Sequence, residues 1–418
     1  MRVQTGTQIG TRPSLHPPRL QLARAFYSLA LLLMPACLIA TPWGLTPAAC
    51  CTLVALVLAA DRVWAARTLA GSAWWAMTVA VLLVMAVVVA SVLIHHDDWK
   101  QAADRLRIVM IPVAWLMVLA LAPPPAALWA GAVLGLAGAC VVAVLQIANH
   151  APRAEGWNNA ITFADMAALL LPLVLFLRPA DRFLMSMLAA CAGLVAIGLS
   201  GTRGAWPAAA LVVMVAVVMR AASGRRHRLE TGILVVLGLL SVVAVLPQVQ
   251  QRTQALQTDL LRYAAGDRDS SSGARIELLR LAGQELQRHP WTGAGLGHFG
   301  RVVAASPQCQ VRQPDNWCRL GHAHSDFPEW GATMGVPGVL ALLLLYGLPA
   351  WLFARQLRVQ ALALRTPSAA LTGLAVVGVF VLCGLSQSMW AHQISGSTYL
   401  LLVGILLGFS GRADPRKA

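Results

Sequence analysis

The sequence predicts an all-α polytopic membrane protein with about twelve transmembrane helices. Hydrophobic residues make up 58% of the 418-residue chain and charged residues only 12%, whereas roughly a quarter of the residues in a soluble domain are charged. Apolar runs of about 17–22 residues, enough to cross a hydrocarbon core roughly 30 Å thick, recur along nearly the whole chain. Basic residues collect in alternate connections between these runs.

The apolar runs divide the chain into predicted spans. They cover residues 24–40, 45–60, 73–94, 106–122, 126–148, 160–177, 184–200, 204–219, 231–247, 335–354, 369–388 and 394–411. Each is expected to be a helix, because in lipid a helix satisfies its backbone hydrogen bonds within one segment. Three parts follow: residues 1–247 with spans one to nine, residues 248–334 as a large loop domain, and residues 335–418 with spans ten to twelve and a short tail.

The distribution of arginine predicts the orientation of the spans. Short connections rich in Lys and Arg remain in the cytoplasm. In an arrangement of about twelve spans the most basic connections all fall on one side, so we expect both termini in the cytoplasm and residues 248–334 on the outward side. The polar, proline-containing N-terminus lacks the pattern of a removable signal peptide, and the first span is therefore expected to remain.

The outward loop is far longer than an ordinary connection, which indicates a functional segment. It contains two segments with the pattern of amphipathic helices, residues 249–263 and 273–289. In the first, the apolar residues are Leu256, Leu260 and Leu261. In the second, Ile276, Leu279, Ala282 and Leu286 are expected to lie opposite Arg275, Arg280, Gln284 and Arg288, and the serines at 270–272 are a plausible helix start.

Two of the eight cysteines, Cys309 and Cys318, lie nine positions apart in this loop. The outward compartment is expected to be oxidising, and we therefore predict a disulfide between them. Zinc binding by these cysteines with His322 and His324 is the alternative, but the chain offers no CxxC pair for it. The other six cysteines fall in predicted spans and are expected to be small packing residues.

Titratable side chains are densest just before the tenth span. The run Gly321-His322-Ala323-His324-Ser325-Asp326-Phe327-Pro328-Glu329-Trp330 holds two imidazoles, two carboxylates and a hydroxyl within eight residues. Because imidazole titrates near neutral pH, such a cluster favours a catalytic site at the membrane surface. The alternative is a solvated helix start capped by Ser325 or Asp326.

Arginine supplies nearly all of the positive charge: of 32 Lys and Arg residues only Lys100 and Lys417 are lysine, and the formal net charge is +15. Guanidinium groups bind phosphate and pyrophosphate through paired hydrogen bonds, so the outward arginines favour a lipid-linked phosphate over a nucleic acid as partner. These arginines are Arg105, Arg107, Arg153, Arg203, Arg275, Arg280, Arg288, Arg301, Arg312 and Arg319.

Arg203 is the most informative of them, because it separates two spans with almost no loop in the sequence Ser200-Gly201-Thr202-Arg203. A charge so close to hydrocarbon usually has a function. The alternative is an arginine that only reaches the lipid head groups. Arg275 has the weaker case, since an arginine on an amphipathic helix often merely faces solvent.

The outward carboxylates offer a competing, metal-based chemistry. Asp97 and Asp98 directly follow the third span, but side chains of adjacent residues point apart, and a solvated helix end is the preferred interpretation. The chain has no GxxxxGK[ST] loop, no GxSxG elbow and no HExxH helix. ATP hydrolysis, serine hydrolase and zinc protease functions therefore lack support.

Three features together carry a resemblance to a known family. His324-Ser325 is followed after nine residues by Gly335-Val336-Pro337-Gly338; Ser200 to Arg203 break two spans in mid-sequence; and the late loop combines Arg275 with the stretch Pro290-Trp291-Thr292-Gly293-Ala294-Gly295. In these features the chain resembles the O-antigen ligase family of bacterial inner-membrane glycosyltransferases. The relatives of that family, the O-antigen polymerases and protein O-oligosaccharyltransferases, share the pattern. Ser325 stands where ligases often have asparagine.

The resemblance implies a GT-C-like membrane fold and a metal-independent, inverting glycosyl transfer without cofactor. The implied donor is O-antigen polysaccharide on undecaprenyl pyrophosphate. The implied acceptor is a sugar hydroxyl of the lipid A core, and the reaction belongs to lipopolysaccharide biosynthesis at the periplasmic face of the inner membrane.

The resemblance also assigns roles to residues. Arg203 and Arg275 are expected to bind the pyrophosphate and neutralise its developing charge. His324 is expected to act as general base or positioner for the acceptor hydroxyl. Further substrate-binding residues are expected to be His322, Arg280 and Arg288, and Asp326 or Glu329 is expected to orient the imidazole.

Two alternatives stay open. The same chemistry on another acceptor gives a polymerase or a protein O-oligosaccharyltransferase; only residues 411–418 follow the last span, without the extended domain frequent in the protein-directed enzymes, so we expect a lipid acceptor. A transporter or flippase of a lipid-linked anion is the alternative of another class. A transporter places ionisable residues near the bilayer centre, whereas those predicted here lie at the outward ends of the spans, which favours an enzyme.

Overall fold

The structure, a computed structural model, describes residues 17–97, 99–222, 228–311, 315–360 and 368–412. Within these ranges the regular structure is helical and contains no strand. The α-helices of the described ranges are α1 (Pro17–Cys37), α2 (Thr46–Ala65), α3 (Arg67–His95), α4 (Trp99–Arg105), α5 (Met110–Leu121), α6 (Pro125–Ala148), α7 (Ala160–Phe176), α8 (Phe183–Ser200), α9 (Trp206–Ala222), α10 (Arg228–Ala264), α11 (Ser271–Arg288), α12 (Phe299–Ala304), α13 (Asp326–Gln360), α14 (Ala369–Gly384) and α15 (Gln393–Arg412).

Each predicted span coincides with one of these helices. Among the described residues, eight helices are long and apolar enough to cross a membrane, namely Pro18–Cys37, Thr46–Ala65, Arg67–His95, Pro125–Ala148, Phe183–Ser200, Arg203–Ala221, Asp326–Arg358 and Gln393–Arg412. The helices α7 and α14 are apolar but shorter. The prediction of an all-α polytopic membrane protein is confirmed, and the count of about twelve spans stays a prediction.

The centre of the bundle is formed by α7, in which every residue from Ala160 to Phe176 except Ile161 is buried. Elsewhere in the bundle, helices approach one another closely through small residues. A side chain at Gly131 of α6, for example, would collide with the Leu32 carbonyl of α1. Close approach of this kind is how membrane helices gain packing energy, since lipid supplies no hydrophobic drive between them.

The 35-residue α13 is broken at Gly335, whose backbone has φ 67° and ψ −160°. This region is essentially restricted to glycine. A Cβ at this position would also collide with the carbonyl oxygen of Pro290. That oxygen instead accepts a 2.7 Å hydrogen bond from the N–H of Val336.

The break leaves two carbonyls of α13 available to another segment. Ala332 accepts a 2.8 Å hydrogen bond from the N–H of Ala294, and Thr333 accepts one of 3.0 Å from Gly295. The glycine-rich turn at residues 290–297 is therefore docked backbone to backbone in the α13 break. The two glycine-containing motifs of the sequence thus meet in a single contact.

The loop differs from its prediction in where the first amphipathic segment belongs. Residues 249–263 form the end of the 37-residue α10 and are not a separate surface helix. Leu260 and Leu261 are exposed, and the amphipathic character expected for this segment stays a prediction. The predicted boundary between residues 247 and 248 falls inside a helix, and the three-part division of the chain stays a prediction.

The second segment is the helix α11, which starts as predicted: Ser270 is the N-cap, and its hydroxyl accepts the N–H of Gly273. Its buried face contains Leu278 and Leu281, whereas Leu279, predicted to face inward, is 41% exposed. The helix is rotated from its predicted position because it also buries the carboxylate of Glu277.

The prediction for Asp97 also differs from the structure. Its side chain is only 3% exposed and lies 3.2 Å from Nδ1 of His298, so the expected solvated helix end is wrong for this residue. Gly295 fits against both side chains. Asp97 thereby links the end of α3 to the loop domain, while Asp98 and Arg312 lie outside the described residues.

We predict that Gly335→Ala lowers the free energy of unfolding by about 1–3 kcal/mol, the usual cost of forcing a side chain into this backbone region. Thermal unfolding in detergent measures the change. Gly347→Ala is the matched control, because Gly347 lies in the same helix with no atom near its missing Cβ. Equal melting temperatures for the two variants would contradict the role assigned to the break.

Candidate active site

His324 lies in the turn that leads into α13 and has a left-handed backbone with φ 51°. Histidine is among the residues enriched in this conformation. The turn is fixed from both sides. The N–H of Ala323 donates to Oε2 of Glu329 at 2.5 Å, and the hydroxyl of Ser325 donates to the Gly384 carbonyl at 3.3 Å. The imidazole is therefore held at the junction of α13 and α14.

Gln387 orients the His324 ring. Nδ1 of His324 lies 2.9 Å from Oε1 of Gln387, and Nε2 of Gln387 lies 2.8 Å from Nε2 of His392. Because an amide oxygen only accepts hydrogen bonds, Nδ1 of His324 carries the proton in this contact. Nε2 of His324 is then left as the basic nitrogen of the neutral ring.

The expectation that Asp326 or Glu329 orients this ring is wrong. Asp326 accepts the hydroxyl of Tyr346 at 2.8 Å and the N–H of Trp390 at 3.3 Å. Glu329 holds the turn and lies 3.4 Å from Nδ1 of His322. Sequence reasoning missed Gln387, because a polar residue in a loop 63 positions further along carries no signal that it meets His324.

Burial lowers the pKa of His324 below its ordinary value. The hydrogen bond with Gln387 opposes this shift, and the positive charges of Arg275 and His322 reinforce it. The ring is therefore biased toward its neutral form, the form in which a histidine accepts a proton.

Arg203 and Arg275 approach each other on the same side of the bundle. Burial lowers the pKa of Arg275, the charge of Arg203 lowers it further, and Asp165 of α7 opposes both effects. Arg275 is half-buried in α11, so the alternative of a merely solvated face does not describe this residue. Two like charges at a partly buried position favour the binding of an anion between them.

The break that carries Arg203 is held by a third arginine. Arg153 donates to the Ser200 carbonyl at 3.0 Å and to the Thr202 hydroxyl at 3.1 Å. The Thr202 hydroxyl in turn donates to the carbonyl of Ala160, at the start of the buried α7. Arg153 therefore fixes the backbone on which Arg203 stands.

The two halves of the site meet beside Arg203. Gly204 packs against Ser386, the residue that precedes Gln387, and its missing side chain makes room for the Ser386 hydroxyl. Arg275 lies close enough to lower the pKa of His324. The structure thus brings together the three residues for which the sequence predicts a role in the reaction.

A cavity of about 320 Å³ opens in front of the His324 ring. His322 also lines it, with its side chain 46% exposed. The remaining polar lining includes Arg153, Asn159, Gln387 and His392. Its charged and amide side chains suit a polyhydroxylated substrate with a nearby anion.

A buried wall supports the turn from behind. Arg105 donates to the carbonyl of Trp390 and lies 5.7 Å from the ring centre of Trp330. Trp390 donates from its indole to the Tyr346 hydroxyl at 2.8 Å. Burial lowers the pKa of Arg105, and the charges of Glu329 and Asp326 oppose that shift. Arg105 is thus a structural cation.

Arg280 and Arg288 lie away from His324. Arg280 donates to the buried Glu277 at 2.9 Å, and Glu277 also accepts from Arg268 at 2.8 Å. Arg280 and Arg288 line a separate cavity of about 420 Å³ together with Gln284, between α11 and the segment after α12. Their proposed contact with substrate stays a prediction.

A disulfide joins Cys309 to Cys318, with Cα atoms 5.5 Å apart. It closes the segment that inserts Trp317 into a small core with Leu278 and Phe299. This core anchors α11, the helix of Arg275, within the loop domain. Among the described residues no group of three or more His, Cys, Asp or Glu side chains is arranged to hold a metal ion.

The fold and the site define a multi-pass membrane protein with a histidine and two arginines gathered at one end of its helices. Residues 187–343 match the family model described as O-Antigen ligase, so this part of the chain is similar to that family. The match contains Arg203, Arg275 and His324. The match supports an enzyme of the O-antigen ligase type. A comparison with curated proteins finds no match.

We predict that glycosyl transfer persists below pH 6.5, the ordinary pKa of histidine, because the lowered pKa of His324 keeps the ring neutral as the pH falls. Activity then declines only as the pH passes the lowered pKa. The acid limb of kcat/KM against pH measures this value.

Gln387→Glu should move that acid limb to higher pH by about 1 unit or more, because a carboxylate stabilises the protonated ring. Gln387→Ala removes the hydrogen bond without adding charge, and it separates the two effects. Coincident acid limbs for wild type and Gln387→Glu would show that Gln387 does not contact the titrating base.

Proposed function

We propose that the protein transfers O-antigen polysaccharide from undecaprenyl pyrophosphate to a sugar hydroxyl of the lipid A core at the periplasmic face of the bacterial inner membrane. The observation that carries this proposal is the convergence of His324, Arg203 and Arg275 within the segment that matches the family. Both termini are then cytoplasmic, and residues 248–334 cover the periplasmic side.

The arginine pair provides the donor site. The pyrophosphate lies between Arg203 and Arg275, whose guanidinium groups form paired hydrogen bonds with its oxygens. The bond between the anomeric carbon and the pyrophosphate oxygen breaks during transfer, and negative charge grows on that oxygen. Two fixed cations stabilise this charge in the transition state. Arginines in this role make a divalent metal unnecessary.

His324 binds and activates the acceptor. The acceptor hydroxyl hydrogen-bonds to Nε2 of His324 and attacks the anomeric carbon from the face opposite the pyrophosphate. A new glycosidic bond forms, the hydroxyl proton moves to His324, and undecaprenyl pyrophosphate leaves. A single displacement of this kind inverts the anomeric configuration. The proton on Nδ1, held by Gln387, keeps Nε2 available for the hydroxyl.

The direct test uses purified protein in vesicles with a defined undecaprenyl-pyrophosphate glycan. The acceptors are lipid A core, an acceptor protein and a second donor molecule, each with and without EDTA. We expect product on lipid A core that EDTA does not diminish. Product only on protein or only on a second donor identifies a different acceptor class, and loss in EDTA that magnesium restores overturns the metal-free mechanism.

We predict that His324→Ala lowers kcat by about 10²–10⁴, the range that general acid–base catalysis contributes. His289→Ala is the matched control, since His289 is an exposed histidine at the end of α11 beside Glu285. An unchanged rate for His324→Ala would remove His324 from the mechanism even if the family assignment stands.

We predict that Arg203→Ala and Arg275→Ala each lower kcat about 100-fold or more, because each removes a stabilising group from the transition state. The lysine variants keep the charge but lose the paired hydrogen bonds, so they should recover only part of the rate. Arg262→Lys serves as control, since Arg262 is exposed and pairs with Asp267. Equal rates for the lysine variants and wild type would show that charge alone suffices.

A further inference from the structure

A second, larger cavity lies on the outside of the bundle, as an apolar groove of about 630 Å³ between α1, α2, α5 and α15. Leu31, Leu56 and Met117 are among its apolar lining residues. Trp43 and Leu53 also line it and are 66% and 62% exposed, so the groove is open toward the lipid that surrounds the helices.

The dimensions of the groove suit one hydrocarbon chain. Along α15 its lining runs from Gln393 to Ile405, a distance of roughly 18 Å at the rise of an α-helix. One leaflet of the hydrocarbon core is about 15 Å thick, half of the bilayer value. A chain in the groove would therefore extend from the membrane surface to about the middle of the bilayer.

The polar end of the groove leads to the reaction site. Arg107 and Gln393 line both the groove and a small adjoining cavity of about 150 Å³. That cavity shares His322 and His392 with the cavity in front of His324. The three spaces thus adjoin one another through shared lining residues and form a series between the lipid-facing groove and the imidazole.

These three cavities reach the candidate active site on the side where its histidines lie. Their lining includes His322, His324 and His392, and among the described residues it includes neither Arg203 nor Arg275. In the proposed reaction the arginines hold the donor pyrophosphate and the histidine receives the acceptor hydroxyl. A lipid that enters from this side is therefore the acceptor.

The charge at the groove mouth fits an anionic head group. Apart from Arg105, which is buried behind the His324 turn, residues 99–107 carry the cations Lys100 and Arg107 and the carboxylate Asp104, a net charge of one positive unit. Arg107 lies at the mouth itself and bonds to Asp104 at 2.9 Å. An excess of arginine at a membrane surface attracts lipid phosphates.

We propose that this groove binds an acyl chain of the acceptor lipid and thereby presents its anionic sugar head to His324. The inference rests on the proposed function and adds to it the place and the chemistry of acceptor binding. A lipid chain so held removes much of the freedom of the head group, which reduces the entropic barrier to attack on the donor.

Ala49→Trp tests the groove, with Cys50→Trp as its matched control. Both residues are exposed on α2, but only Ala49 lines the groove. Transfer is measured in vesicles with the intact acceptor lipid and with the same acceptor stripped of its acyl chains, and KM is determined separately for the donor. Thermal unfolding confirms that both variants are folded.

We expect Ala49→Trp to raise KM for the intact acceptor about tenfold or more, the loss that follows when a few buried methylene groups are displaced. KM for the donor and for the stripped acceptor should not change, and Cys50→Trp should behave like wild type throughout. Ala49→Trp is then the only variant that raises KM for the acylated acceptor without changing KM for the stripped acceptor.

Two results overturn the inference. A rise in KM for the donor instead of the acceptor assigns the groove to the polyprenyl chain, and identical constants for Ala49→Trp and wild type mean that the groove holds only bulk lipid. Absence of transfer by the wild-type protein to any acceptor is a different failure. It contradicts the proposed function, and the inference that rests on it fails as well.

Discussion

The structure depends on the contact between the glycine-rich turn at residues 290–297 and the break in α13 at Gly335. The turn follows directly after α11, which carries Arg275, and α13 begins two residues after His324. The contact therefore sets the position of Arg275, on α11, relative to His324, just before α13. Because it consists of backbone hydrogen bonds, it tolerates little displacement, and a side chain at Gly335 has no room.

The same contact explains how an exposed loop positions a residue for chemistry. Here the disulfide between Cys309 and Cys318 and the small core around Trp317 stiffen the loop domain internally. The docked turn then joins this part of the loop to α13, so that Arg275 lies near Arg203 although the two lie on different elements.

The electrostatics of the site couple its two halves. Burial lowers the pKa of both His324 and Arg275, and Arg275 also repels the protonated form of His324. An anion bound between Arg203 and Arg275 reverses part of this effect, since negative charge favours a protonated histidine. Under the proposed function, donor binding would therefore make His324 a stronger base at the moment when the acceptor is activated.

The sequence was sufficient for much of the fold and for part of the site. Apolar runs predict helices, because lipid permits few other structures. Arg203, Arg275 and His324 were predicted from the sequence motifs that contain them. Arg203 was also predicted because a charge beside the hydrocarbon core is energetically costly. The rotation of α11 was not predictable. The helix buries Glu277 against Arg268 and Arg280, whereas a prediction from hydrophobic periodicity places a carboxylate on the exposed face. Asp97 was also predicted to be exposed, because its partner His298 lies about two hundred residues further along the chain.

The contact between Gln387 and His324 could not be predicted from the sequence around either residue, because the two lie 63 positions apart. The direction of the His324 ring is set by the left-handed turn at that residue and by an amide from the loop that follows α14. The turn is common enough for histidine, but without Gln387 either ring nitrogen could carry the proton. The packing of α13 against α14, secured by Ser325 on the Gly384 carbonyl, decides between them. The chemistry assigned to one histidine is therefore a property of the contact between two membrane helices.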